Sequence, residues 1–177
     1  MRRFVIFVLI VLLYMVIHEG AHIATAAFFD EFEAVTWNVI GPEVIFKTPV
    51  EQRSGFQWAL ISGVSNLITI ILGYLMLLNR QRFSQASSLF SKGAAYFLTV
   101  LLLVADPLNL SIGPFFYGGD VYGIAEGLDI HRYVIQFIFL IILLLNRELV
   151  ASKLLPAYDV ESDQILFRPW IFKPERN

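Results

Sequence analysis

The sequence feature that most constrains this chain is an HExxH motif that closes a long apolar run. His18 and His22 stand four residues apart, and Glu19 directly follows the first histidine. In a helix, side chains four apart share one face, so both imidazoles can point at one metal ion with the carboxylate beside them. The run from Phe4 to Ile17 that leads into the motif is almost entirely apolar. The motif therefore indicates a zinc hydrolase whose metal site lies inside a membrane.

The composition supports this location. Hydrophobic residues make up 57% of the 177 residues and charged residues 16%, whereas soluble domains are about half apolar and about a quarter charged. Cysteine is absent, which excludes disulfides, iron–sulfur clusters and thiolate zinc sites, so a metal must be bound by histidine and carboxylate side chains. The net charge of −2 comes without a basic patch, so no nucleic acid partner is expected.

Hydropathy predicts a mainly α, polytopic membrane protein with about four transmembrane helices. The predicted spans are residues 4–29, 56–78, 93–109 and 131–147. Each is close to the roughly 17–25 residues that cross a hydrocarbon core of about 30 Å. Pro107 is expected to end the third span, because proline removes a helical hydrogen bond. An alternative for the first stretch is a cleavable signal peptide ending near Ala26, which would make the HExxH motif accidental.

Basic residues predict the orientation. In a four-span protein, those at the N-terminus, between the second and third spans and after the fourth all fall on one side: Arg2, Arg3, Arg80, Arg82, Lys92, Arg147 and Lys153. By the positive-inside rule that side is the cytoplasm, so both termini are expected there. The chain then divides into a core at residues 1–150 and a cytoplasmic or interfacial tail at residues 151–177.

The segment after the first span predicts a short membrane-associated β-hairpin at about residues 34–48. Val35, Trp37 and Val39 alternate with polar residues, and Gly41-Pro42 supplies a turn. An exposed edge of such a hairpin can pair with an extended peptide. An ordinary connecting loop is the alternative.

Small residues in the spans, and one irregular segment, indicate close packing elsewhere in the chain. Ala59 and Gly63, four residues apart in the second span, allow another helix to approach closely. Gly20 and Ala21 are expected to do the same for the region of the third span. Residues 110–130 are too apolar for an exposed loop and too rich in glycine for a span, so we expect them to be buried or to line a watery cavity.

A catalytic zinc site needs a third protein ligand besides His18 and His22, because catalytic zinc normally takes three and leaves one position for water. The candidates are Asp106, Asp120, Glu126, Asp129 and His131. The third span runs in the same direction as the first and brings Asp106 and Asp120 to the level of His22. Asp120 is favoured because the two glycines before it free the backbone, and Asp106 remains the alternative. His131 is expected at the membrane boundary.

Together these elements resemble the site-2 protease family of intramembrane zinc metalloproteases. Beside the HExxH helix, Ser62-Gly63-Val64-Ser65-Asn66 is similar to the family's Gly-x-x-Asn element, and Asn109 through Pro114 to Asp120 is similar to its Asn, Pro and Asp-Gly pattern. The resemblance covers about Tyr14 to Gly127. It departs from the family at Gly119-Asp120-Val121, where Leu-Asp-Gly is usual. The resemblance implies that the aspartate completes the zinc site and that strands follow the HExxH helix, in a minimal core without a regulatory domain.

The expected function is hydrolysis of a peptide bond in or near a transmembrane segment of another membrane protein. The expected roles are Zn²⁺ as cofactor, His18, His22 and Asp120 as its ligands, Glu19 as general base, and Asn66 and Asn109 as substrate-binding residues. Expected partners are the lipid bilayer, the membrane-protein substrate and a regulatory membrane protein, in the plasma membrane of a prokaryote. The alternatives are an inactive family member that serves as a membrane binding module, and a metal-binding membrane carrier.

Overall fold

The computed structural model describes residues 2–38, 41–162 and 164–173. Within these residues, four helices are long and apolar enough to cross a membrane, which confirms the predicted mainly α fold with four spans. They are α1 (Arg2–Phe28), α2 (Phe56–Leu78), α4 (Leu89–Ser111) and α6 (Arg132–Leu149). The short helices α3 (Arg80–Ser84) and α5 (Asp120–Leu128) stand between them. These four helices fit an integral membrane protein, and α2 packs against α1, α4 and α5.

Helix α4 passes through Pro107, so the prediction that this proline ends the span was wrong. A proline here leaves the carbonyl of Leu103, four residues earlier, without its helical N–H donor. Asn146 of α6 replaces that donor, with its Nδ2 atom 2.7 Å from the Leu103 carbonyl oxygen. The same amide accepts a hydrogen bond from the Tyr74 hydroxyl at 2.6 Å. A buried side chain from another helix thus restores the bond, and no local pattern around the proline reveals it.

Helix α6 also extends beyond its predicted end at residue 147. It continues through a π-helical turn, Val150–Leu154, and a final turn, α7 (Leu155–Ala157). These turns bury apolar side chains against Leu77 of α2 and Leu103 of α4. Residues 151–157, which were predicted to start the tail, therefore belong to the packed helical bundle.

The predicted hairpin is present, and the alternative of an irregular loop was wrong. Strand β1 (Phe32–Trp37) pairs antiparallel with β2 (Pro42–Phe46), and Val35 lies opposite Val44. The predicted position at Val39 lies outside the described residues. The hairpin is held against α1 and α2 by one apolar cluster, whose buried members are Ala26, Trp58 and Ile61 and which includes Phe32 and Phe46. This packing fixes β2 beside the membrane helices.

Helix α5 packs closely on α2, as the small residues of α2 predicted. A Cβ atom on Gly127 would lie 2.1 Å from the backbone nitrogen of Ala59, and one on Gly123 would lie 1.9 Å from Oγ of Ser62. Neither position has room for a larger side chain. The prediction that Gly20 also allows a close helix contact was wrong, because a Cβ atom there would meet open space. The close approach that delivers Asp120 to the first span is therefore made by α5 and α2.

Candidate metal centre

Three side chains from two helices converge between the spans. His18 and His22 of α1 are both buried, and Asp120 is the first residue of α5. The two Nε2 atoms of the histidines are 3.2 Å apart. Nε2 of His18 is 3.5 Å from Oδ2 of Asp120, and Nε2 of His22 is 3.2 Å from its Oδ1. Among the described residues, these three form the one group of such side chains whose ligand atoms all lie within 4.8 Å.

The three side chains are close enough to share one metal ion. With one ligand atom from each residue, the three atoms all lie within 4.8 Å of one another. The two short contacts of Asp120 use different oxygens, Oδ2 toward His18 and Oδ1 toward His22. Two imidazoles and one carboxylate are also the ligand set of a catalytic zinc site with an open fourth position.

The Nδ1 atoms of both histidines point away from Asp120, toward oxygen atoms of other helices. Nδ1 of His22 is 2.7 Å from the carbonyl oxygen of Ile61, and Nδ1 of His18 is 3.1 Å from Oδ1 of Asp106. A metal-binding histidine usually directs its second ring nitrogen to such an oxygen, which fixes the tautomer and the orientation of the ring. His22 thus has the outer hydrogen-bond partner that ligation through Nε2 needs, whereas His18 has a carboxylate within ion-pair distance but no hydrogen bond at Nδ1.

Asp106 lies behind His18 and not among the three converging ligand atoms. It is fully buried, and its carboxylate accepts hydrogen bonds from the hydroxyls of Tyr14 and Thr69. With the nearby Nδ1 atom of His18, these groups surround both carboxylate oxygens. Of the two favoured candidates for a third ligand, Asp120 lies beside the two Nε2 atoms and Asp106 lies on the other side of the His18 ring.

Asp120 is held in place by its backbone and by Asn66. Gly119 adopts φ 71°, which glycine alone adopts readily, and this turn begins α5 with the carboxylate facing the histidines. Nδ2 of the buried Asn66 donates to Oδ2 of Asp120 at 3.0 Å. Asn66 thereby fixes the same carboxylate oxygen that lies 3.5 Å from Nε2 of His18.

A cleft of about 760 Å³ opens beside the three ligands. Its walls include His18, Glu19, Asn109, Asp120 and the whole of β2, Pro42–Phe46. Glu19 is half-buried, so its carboxylate lies on the cleft wall next to the ligands without being one of them. The cleft is large enough for water and an extended segment of a substrate.

The two asparagines predicted to bind substrate lie in different places. Asn109 lines the cleft, and its Oδ1 accepts from the Tyr117 hydroxyl at 2.5 Å. Burial and the charge of Asp120 raise the pKa of Tyr117, which keeps this hydroxyl protonated. Asn66 lies behind the Asp120 carboxylate, where it orients a ligand. Of the two asparagines, Asn109 lines the cleft and Asn66 does not.

The remaining candidates lie away from the ligands. His131 is exposed just before α6, where its ring accepts from the backbone N–H of Tyr133 at 3.3 Å. Glu126 and Asp129 are exposed at the far end of α5.

Sequence reasoning missed three hydroxyl side chains at this site. Tyr14 and Thr69 bind Asp106, and Oγ of Ser65 lies 2.8 Å from Nε2 of His22. Helical periodicity contains a signal for two of them. Tyr14 stands four residues before His18, and Thr69 stands four after Ser65, so each lies on the face that carries the site.

Comparison of the chain with family models, with curated proteins and with solved structures returns no significant match. The functional interpretation therefore depends on the motif and on the geometry of the site.

Proposed function

We propose that this protein is an intramembrane zinc metalloendopeptidase that hydrolyses a peptide bond in or near a transmembrane segment of another membrane protein. The observation that carries the proposal is the convergence of His18, His22 and Asp120 on one point beside a cleft, between helices long enough to cross a membrane. Ionisable groups between transmembrane helices cost free energy, so their presence there is a sign of function.

The chemistry follows from the positions of the side chains. Zinc, when bound, lowers the pKa of its water toward about 7 and polarises the carbonyl of the scissile bond. Glu19, on the cleft wall beside the ligands, takes a proton from the attacking water and delivers it to the leaving amine nitrogen. Water supplies the hydroxyl of the new carboxylate, so no covalent enzyme intermediate is needed.

The supporting layer keeps the ligands oriented during this cycle. The Ile61 carbonyl holds the outer nitrogen of His22, and Asn66 holds the Asp120 carboxylate. The Asp106 carboxylate lies 3.1 Å from the outer nitrogen of His18. We assign Asn66 to positioning in place of substrate binding, since it contacts a ligand and is buried behind it. Asn109 keeps its proposed role in substrate binding, because its side chain lies on the cleft wall.

Strand β2 offers an edge that can hold an extended substrate. The backbone N–H of Lys47 donates to the carbonyl oxygen of Glu31, and the carbonyl oxygen of Gly41 accepts from the N–H of Asn38. The backbone N–H and C=O groups of the odd-numbered residues of β2 therefore point toward β1. Because backbone groups alternate between the two sides of a strand, those of Val44 face away from β1. Pro42 has the same parity as Val44, and there its missing N–H breaks no ladder bond.

An extended peptide can therefore add to β2 as a third strand. Since β2 forms one wall of the cleft that holds the three ligands, such a peptide would place its carbonyls beside the metal. Extension also exposes carbonyls that a helical transmembrane segment hides in its own hydrogen bonds. This geometry supports a membrane-protein substrate that unwinds before cleavage.

The test combines metal content with cleavage. The purified protein, reconstituted in liposomes with a panel of single-span peptides, is expected to contain one zinc ion per chain and to release products detected by mass spectrometry. His18→Ala is expected to lose both zinc and cleavage. Glu33→Gln, on the exposed face of β1 outside the cleft lining, removes a carboxylate without affecting either.

The rival functions give different results in the same preparation. Stoichiometric zinc without cleavage of any peptide would favour a binding module. Uptake of zinc into the liposomes would favour a carrier. Either result would overturn the proposed hydrolysis.

A further inference from the structure

The C-terminal segment, defined here as residues 164–173, returns to the bundle and is held by Glu148 of α6. This carboxylate is 2% exposed and accepts three successive backbone N–H groups. Its Oε1 atom lies 2.8 Å from Trp170 N, 2.7 Å from Ile171 N and 2.9 Å from Phe172 N. Successive N–H groups that converge in this way form a strong anion-binding site. The backbone of the segment is therefore tied to one side chain of a membrane-spanning helix.

Arg147 binds the other half of the segment. Its guanidinium donates to the carbonyl oxygens of Leu166 at 2.8 Å, of Ile165 at 2.9 Å and of Arg168. It also donates to Glu148 at 2.7 Å and lies 3.9 Å from the ring centroid of Trp170. Two adjacent residues of opposite charge thus pair both donors and acceptors of the segment's backbone.

Most side chains of the segment are apolar and exposed, and Gln164, Arg168 and Lys173 are its exposed polar members. Ile165 is 73% exposed and Ile171 is 75% exposed. They belong to an exposed apolar surface formed by Ile165, Leu166, Phe167, Trp170, Ile171 and Phe172. The indole N–H of Trp170 is bonded within the segment, to the carbonyl of Ile165 at 3.1 Å. A surface of this kind is unfavourable in water and favourable in lipid.

The position of Arg147 and Glu148 along α6 places this surface at the level of the membrane. The apolar part of α6, from Tyr133 to Leu145, is about 20 Å long at roughly 1.5 Å per residue, which is shorter than a hydrocarbon core of about 30 Å. The two charged residues follow directly, within or at the edge of the core. Charges at that depth need internal partners, and the segment supplies them.

We propose that the C-terminal segment is embedded in the lipid bilayer, in the leaflet where α1 begins, and that Arg147 and Glu148 hold it there. The occupant of its apolar surface is the acyl region of the lipids. Lipid requires that backbone polar groups be satisfied within the protein, and Glu148 and Arg147 together satisfy six of those in the segment. The surface also continues the lipid-exposed face of α6 at Leu144 and Leu145.

The absence of cysteine makes the test direct, because a single introduced cysteine can be labelled without a background. Ile171→Cys is labelled with a nitroxide in liposomes of phosphatidylcholine and phosphatidylglycerol in equal amounts. Its collision rates with oxygen and with a water-soluble nickel chelate are compared with those at two reference positions. Ile141→Cys on the exposed face of α6 is the lipid reference, and Glu161→Cys after the last helical turn is the water reference.

The label at 171 is expected to lose access to the nickel chelate as the label at 141 does. Nickel access equal to that at 161 would overturn the proposal. Dipolar broadening between labels at 171 on two chains would assign the surface to a dimer and would overturn it as well. These outcomes are measured without substituting Arg147 or Glu148.

A second experiment tests whether Glu148 holds the segment. Glu148→Gln, combined with Ile171→Cys, replaces one carboxylate oxygen by an amide donor that faces the segment's N–H groups. The label is expected to become mobile and accessible to the nickel chelate. Glu161→Gln, the matched control at an exposed position, is expected to leave the label unchanged. If the label's mobility and nickel access were unchanged in folded Glu148→Gln protein, Glu148 would not hold the segment.

Discussion

Asp106→Asn tests the distinction between a metal ligand and a residue that orients one. The Asp106 carboxylate is fully buried and faces three groups, the hydroxyls of Tyr14 and Thr69 and Nδ1 of His18. Asparagine keeps the size of the side chain but replaces one acceptor oxygen by a donor. The group that faces the amide nitrogen must then accept a hydrogen bond in place of donating one, and the negative charge behind the His18 ring is lost.

The variant is expected to bind zinc more weakly but still to bind it at the same site. Removing the outer partner of a metal-binding histidine typically weakens metal binding about 10–100-fold, or about 1.4–2.7 kcal/mol. The measurement is competition for zinc with a chromogenic chelator of known affinity. Asp129→Asn is the control, since Asp129 is exposed and its φ of 52° is well tolerated by asparagine.

Two results would refute this reasoning. If Asp106→Asn abolished zinc binding as fully as His18→Ala does, Asp106 would be a ligand. If it bound zinc as tightly as the wild type, the contact with His18 would have no role in the site. Asp120→Ala is expected to abolish zinc binding, because it removes a ligand atom.

Three further predictions concern packing, substrate and metal. Gly127→Ala places a Cβ against the backbone of Ala59 and should destabilise the folded protein by about 1–3 kcal/mol in thermal unfolding, whereas Gly20→Ala, in open space, should not destabilise it. Val44→Pro removes one edge donor of β2 and should raise KM about 2–12-fold with little change in kcat, from a hydrogen bond worth roughly 0.5–1.5 kcal/mol. Equal KM values would contradict edge pairing. Zinc at about 100 times its Kd should stabilise the stripped protein by about 2.7 kcal/mol, and His18→Ala should show no such gain.

The parts of the fold that depend on local pattern could be predicted from the sequence. Hydropathy located the four spans, and alternation with a Gly-Pro turn located the hairpin. Errors occurred where a distant residue decides the outcome. Asn146 supplies the hydrogen bond that lets α4 continue through Pro107, and it lies 43 positions from the carbonyl it binds. Nothing near the proline encodes that partner.

The same distinction applies to the site. The spacing of His18 and His22 follows from one helix, so the motif alone indicated that they share a face. The choice between Asp106 and Asp120 depends on how α4 and α5 pack against α1. Sequence arguments narrowed the choice through the glycines before Asp120, but only the packed helices separate the carboxylate that meets Nε2 from the one that meets Nδ1.

The measurement that tests the central claim most directly is peptide cleavage by Glu19→Gln at the same zinc occupancy as the wild type. Glu19 lines the cleft but is not one of the three converging ligands, so the variant is expected to retain its zinc. Loss of the general base should lower the cleavage rate about 10²–10⁴-fold. Cleavage at the wild-type rate by the zinc-loaded variant would contradict the proposed mechanism.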